Sequence, residues 1–121
     1  MAMEKEIASF VSVLLHSGTI AHLQHLQTES FAKHKALGKY YPTIIDLVDN
    51  FVESYQGRYG VIKKYPNEYH PEKEPTEYFQ GLQEFVDESR EFLPKDTELQ
   101  NIVDEIATLI NSTLYKLKHL K

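Results

Sequence analysis

Six side chains in the first half of the chain have types and spacings suited to holding a divalent cation. His22 and His25 are three residues apart, so on a helix both project from roughly one side. His34 follows, and Asp46, Asp49 and Glu53 recur at i, i+3 and i+7, which lines three carboxylates along one helical face. Imidazoles and carboxylates on facing helices form the mixed nitrogen and oxygen donor set that iron, manganese or zinc accepts. The same pattern has a structural reading. A histidine beside a bundle core is commonly a hydrogen-bonded polar group, and a carboxylate strip is commonly a solvated flank.

The elements that must position these residues are helical. Ile7, Val11, Leu14, Gly18, Ala21 and His25 recur at steps of three and four, which predicts a first helix from about Glu4 to Gln27. His25 falls on that apolar line, with His22 to one side of it. Ser30 is the expected N-cap of a second helix over about 31–56 that stops at Gly57. Its expected core stripe is Leu37, Tyr41, Ile44, Ile45, Val48, Val52 and Tyr55. Pro42 removes a backbone donor inside that helix, and Gly38 stands four residues earlier, where the proline ring would otherwise crowd the chain. A bent continuous helix and a break are both open.

Residues 58–75 hold prolines, tyrosines and Gly60 and read as a long crossover. A third helix is expected over about 76–92, with Leu82, Phe85, Val86 and Ser89 inward and Pro94 as its stop. The fourth carries Leu99, Ile102, Val103, Ile106, Leu109, Ile110, Leu114 and Leu117 at helical spacing, with Thr97 and Gln100 spaced as a capping box. No strand alternation and no internal repeat is visible. Two hairpins with short turns, joined by a long link, predict an all-α, ferritin-like four-helix bundle filling residues 1–121 as a single domain.

Composition narrows the function classes. The 121 residues suit one core, and 41% hydrophobic with 26% charged residues is a globular balance. There is no cysteine, which excludes disulfides, thiolate metal sites and cysteine nucleophiles. A net charge of −5 argues against DNA binding driven by phosphate neutralisation. Lys116, Lys118 and Lys121 form a weak basic patch that the dipole of a helix C-terminus explains. No uncharged apolar stretch is read as approaching the roughly 18 residues of a membrane span. Charges near the N-terminus do not fit a secretory leader, so a cytoplasmic location is expected. The scattered glycines make no phosphate loop, and no serine sits in a G-x-S-x-G context. Tyr40, Tyr41, Tyr55, Tyr59, Tyr65 and Tyr69 cluster around the second helix and the crossover, where core and interface packing is the expected role.

The run from His22 to His34, followed by Asp49 and Glu53, resembles the Dps family of mini-ferritins. That family spaces histidine, histidine, aspartate and glutamate by 12, 15 and 4 residues, as His22, His34, Asp49 and Glu53 are spaced here. Small, tail-less relatives of this kind are also similar to proteins of phage genomes. The resemblance implies a ferroxidase site between two-fold-related subunits. His22 and His34 of one copy would meet Asp49 and Glu53 of the other; His25 and Asp46 are additional candidates from the donor pattern alone. It implies that Fe2+ is oxidised to Fe3+ by peroxide or oxygen and stored, that Mn2+ or Zn2+ can also be held, and that the assembly is a homo-oligomer, at least a dimer and up to a dodecamer.

The chain departs from the family at several points. Gly38 stands where a further aspartate is common, tryptophan is absent, and the lysine-rich DNA-binding tail is missing. The long link between the second and third helices is still short for the small helix that completes the family's two-fold contact. The alternative expectation is a non-catalytic, ferritin-like interaction module, phage- or host-directed, with a degenerate metal site. Neither reading involves DNA or a membrane.

Overall fold

A computed structural model describes residues 2–66 and 74–121, with side chains from Glu4 onward. The chain forms four helices: α1 (Ala2–Gln27), α2 (Phe31–Tyr59), α3 (Pro75–Ser89) and α4 (Thr97–His119). There is no strand among the described residues. Ser30 caps α2 as expected, its side chain accepting from the Lys33 N–H. The α2 helix continues unbroken through Pro42 and past Gly57, and ends at Gly60, whose φ of 106° is left-handed. That conformation is open to glycine at no steric penalty, which is why the stop falls there. The α3 helix is shorter than its periodicity predicts. Residues 90–93 leave the helix as a turn before Pro94.

The core is built from one stripe of each helix. Ile7, Phe10 and Leu14 of α1 meet Leu37, Tyr40, Ile44 and Phe51 of α2, with Phe79 of α3 and Leu99, Ile106 and Ile110 of α4. Each such fully buried side chain contributes about 1.5–3 kcal/mol. Phe10 lies 5.3 Å from Phe51 between ring centroids, and Tyr40 meets Phe79 edge-on at 4.6 Å. The expected stripe of α2 is therefore rotated. Tyr40 and Phe51 are buried, Tyr41 and Val52 sit at the margin, and Ile45 faces out. One step of 100° separates neighbouring positions, so a small error in the assumed centre exchanges a core residue for a flanking one.

The Thr97 and Gln100 pair does not form a capping box. Asp96 precedes α4 without a side-chain cap bond. Gln100 instead donates to the Pro94 carbonyl and accepts from Arg90, and so ties down the α3–α4 turn.

The expectation of no membrane-length apolar stretch also needs correction. Glu4–Gln27 is long and apolar enough by length and composition to cross a membrane, and 56% of that window is buried within the bundle. Its apolarity has a packing cause, since α1 presents core residues to the other helices.

Contacts at the two ends set the helix directions. Lys33, at the start of α2, lies 3.4 Å from Glu74, just before α3. Arg58, at the end of α2, lies 2.9 Å from Asp96, just before α4. So α2 and α3 begin at one end of the bundle and α4 begins at the other. The link that leaves Gly60 starts at the end of the bundle opposite Glu74. Its first part runs over α1 and α2, where Tyr65 and Pro66 share a shallow groove with Leu15, His16, Thr19 and Asp49.

Candidate functional site

The imidazoles gather where α1 turns into α2. His25 occupies the last turn of α1, whose final carbonyls have no partner inside the helix. His34 lies in the first turns of α2. The connection between them is tight: Thr28 Oγ1 accepts from the Ser30 N–H, and Ser30 Oγ accepts from the Lys33 N–H. This geometry folds His34 back over His25.

The two rings stack 3.7 Å apart at 18°. His25 Nδ1 lies 2.7 Å from the His34 carbonyl oxygen, and His34 Nδ1 lies 2.9 Å from the His25 carbonyl oxygen. A carbonyl oxygen only accepts, so each Nδ1 carries the proton and each neutral ring is the tautomer with its lone pair on Nε2. One of these bonds satisfies an orphan carbonyl at the C-terminus of α1. The other uses the second lone pair of a carbonyl in α2. Reciprocal bonds therefore clasp the two helices together.

His22 and Tyr41 complete an aromatic cluster. Their rings stack 4.0 Å apart at 7°, and Tyr41 meets His25 at 5.5 Å. Gly38 is the floor beneath His25. A Cβ at position 38 would stand 2.9 Å from His25 Cε1 and 3.1 Å from Nδ1. Sequence reasoning placed Gly38 as relief for the proline ring and missed this contact. Nothing in the spacing of Gly38 and His25 marks it, since thirteen residues and a helix turn separate them.

The carboxylates lie elsewhere. Asp46, Asp49 and Glu53 are exposed on α2, and at 1.5 Å per residue Asp49 and Glu53 stand about 22 and 28 Å along the helix from His34. One copy of the chain thus keeps His22 and His34 at one end and Asp49 and Glu53 far from them. Among the described residues no group of three or more histidine, aspartate or glutamate side chains could hold a metal ion. His25, an additional donor in the sequence reading, is the ring that stacks on His34.

Beside the imidazoles lies an open groove lined by His25, Phe31, His34, Lys35, Lys39 and Lys116. The C-terminal end of α4 comes alongside the start of α2, so the lysines of both helices collect at one end of an acidic molecule.

With this geometry in hand, comparison with known proteins places the chain. Residues 25–117 match the family described as "Family of unknown function (DUF5856)". The chain belongs to the DUF5856 family. The matched span runs from His25 to Leu117, so the His25–His34 clasp, all of α2 and α3 and most of α4 fall within the family's own boundaries. A relative in Enterobacteria phage T4, described as an "Uncharacterized 14.6 kDa protein in mobD-ri intergenic region", is 27% identical over 110 residues, covering 89% of this chain and 84% of its own. No solved structure matches.

A second polar pair lies inside the core. Ser17 Oγ donates to the Leu14 carbonyl at 2.6 Å and so must accept from the Tyr40 hydroxyl at 2.7 Å. Burial pushes the Tyr40 hydroxyl far above its ordinary pKa, against the weaker opposing effect of the Ser17 bond. Both residues are essentially inaccessible, which makes this a core link between α1 and α2 and not a reactive site.

Proposed function

We propose that the protein is a non-catalytic, ferritin-like helical module that works by binding other protein surfaces. The shared starting end of α2 and α3, with the link between them leaving from the opposite end, supports ferritin-like connectivity over a simple up-and-down bundle. The observation that carries the interaction reading is the clasp. His34 is stacked against and hydrogen-bonded through His25, and the His25 ring fills the space over Gly38, where the Dps-like pattern would place another carboxylate. The imidazoles join helices, and the acids of the same copy stand too far away to share a cation with them.

A second reading keeps the iron chemistry. Because each Nδ1 is tied to a carbonyl, Nε2 of His34 retains its lone pair, and such backbone bonds orient metal-binding histidines generally. His22 and His34 would then take Fe2+ as substrate together with Asp49 and Glu53 of a second copy.

Anaerobic addition of Fe2+ followed by peroxide separates the two readings. The expected result is a ferric absorbance that grows no faster than in protein-free buffer, with no gain in melting temperature from Fe2+, Mn2+ or Zn2+. Protein-dependent oxidation that disappears in His34→Ala/Asp49→Ala would establish the ferroxidase reading in its place.

A further inference from the structure

The outward face of α2 has a self-complementary order. Phe31, Lys35, Lys39, Pro42, Asp46, Asp49, Glu53 and Gly57 follow one another at steps of 4, 4, 3, 4, 3, 4 and 4. Steps of three and four keep all eight on one side of a helix, and each of the eight is exposed. The series of steps reads the same in both directions, and its charges do not: the two lysines precede the midpoint and the three acids follow it. Among the described residues, Lys35, Lys39, Asp46, Asp49 and Glu53 make no ion pair within the chain. The helix packs against α1 and α4, and no third described helix brings its backbone against it.

We propose that two copies of the chain associate through this face, α2 against α2 in antiparallel orientation, about a two-fold axis near Ile44. A two-fold contact pairs residue i of one copy with residue j of the other and j with i. With the axis at that point, i and j sum to 88 throughout. Lys35 then faces Glu53 of the second copy, Lys39 faces Asp49, and Pro42 faces Asp46. At the rim, Phe31 faces Gly57. Phe31 is 73% exposed and Gly57 has open space around its Cα, so a bulky ring meets a position with no side chain. Each lysine–acid pair occurs twice by symmetry. A parallel arrangement would set lysine against lysine and acid against acid, so charge selects the antiparallel one. The inference rests on the interaction-module reading and names its first partner, a second copy.

Sedimentation of the full chain tests it. The wild type is expected at twice its 14.1 kDa mass at micromolar concentration. Lys35→Glu/Lys39→Glu makes the face wholly acidic, and Asp49→Lys/Glu53→Lys makes its lower half basic to match the upper. Each variant is expected to keep the wild-type helical circular dichroism and to self-associate at least about 100-fold more weakly. Mixed in equal amounts, the two variants are expected to form a heterodimer, because every opposed pair is again of opposite sign. A monomeric wild type, variants that still dimerise, or a mixture that stays monomeric each overturns the proposal. A monomeric wild type overturns this contact and leaves the non-catalytic reading standing, since the iron site needs the acids of a second copy. Protein-dependent iron oxidation by a dimer overturns the non-catalytic reading and leaves this contact standing, so the two fail separately.

Discussion

His25 and His34 hold each other by reciprocal hydrogen bonds from ring to backbone, 2.7 and 2.9 Å long, while their rings stack. The clasp closes the end of the α1–α2 hairpin, where the last turn of α1 would otherwise leave a carbonyl without a partner. Its tightness at Gly38 makes that position a sensitive probe.

In a helix interior, glycine to alanine ordinarily gains about 1 kcal/mol in backbone propensity. At position 38 the added methyl would meet the edge of the His25 ring at 2.9 Å. Gly38→Ala is expected to lose about 1–3 kcal/mol, as overpacked sites do. His25→Ala/Gly38→Ala should recover the propensity gain relative to His25→Ala alone. Urea denaturation gives both values, and a stabilised single variant would contradict the contact.

Removing Ser17 leaves the Tyr40 hydroxyl buried without its acceptor. Ser17→Ala is expected to cost about 1–3 kcal/mol, and Tyr40→Phe less, about 0.5–1.5 kcal/mol, because Ser17 keeps its bond to Leu14. In the double variant the two losses should sum to less than their separate values. Full additivity in a double-mutant cycle would show that the pair is not coupled.

The turn before α4 distinguishes the observed network from the capping box that spacing predicts. Gln100 bonds both Pro94 and Arg90, so Gln100→Ala is expected to lose about 1 kcal/mol. Thr97, exposed and without a side-chain bond among the described residues, should tolerate alanine within about 0.5 kcal/mol. Thermal melts of the two variants rank them directly.

Stability should fall at both ends of the pH range. The Tyr59 hydroxyl donates to the Asp96 carboxylate, which lies beside Arg58, and holds its pKa below the ordinary 3.8. A lowered acid contributes stability present above its unfolded pKa and lost as pH drops through the folded value. Asp96→Asn should therefore flatten the limb below about pH 4. Tyr40 and Tyr78 are raised by burial. Their contribution is complete below their unfolded value near 10 and lost as pH climbs past it, so Tyr40→Phe should blunt the alkaline limb. Denaturant midpoints from pH 2 to 11 measure both effects.

Much of the architecture was legible in the chain. Steps of three and four marked each helix, and Ser30 marked the start of α2. Boundaries set by local chemistry alone were less legible. The end of α2 moved from Gly57 to Gly60 because a left-handed residue, rather than any glycine, stops a helix. Core membership on α2 shifted from Ile45 to Tyr40 and Phe51 because two neighbouring helices determine which arc is covered.

The candidate site was legible as a set of residues and not as a place. Sequence alone determined that imidazoles fall near the α1–α2 turn and carboxylates lie farther along α2, since helical rise and periodicity follow from spacing. It also determined the charge order of the α2 face, lysines before acids. Only the tertiary structure decided that His25 rather than His22 meets His34, and that Gly38 makes room for it. Those contacts depend on how one helix is rotated and docked against another. Such angles are set by the packing of the whole core, which no local pattern of residues contains.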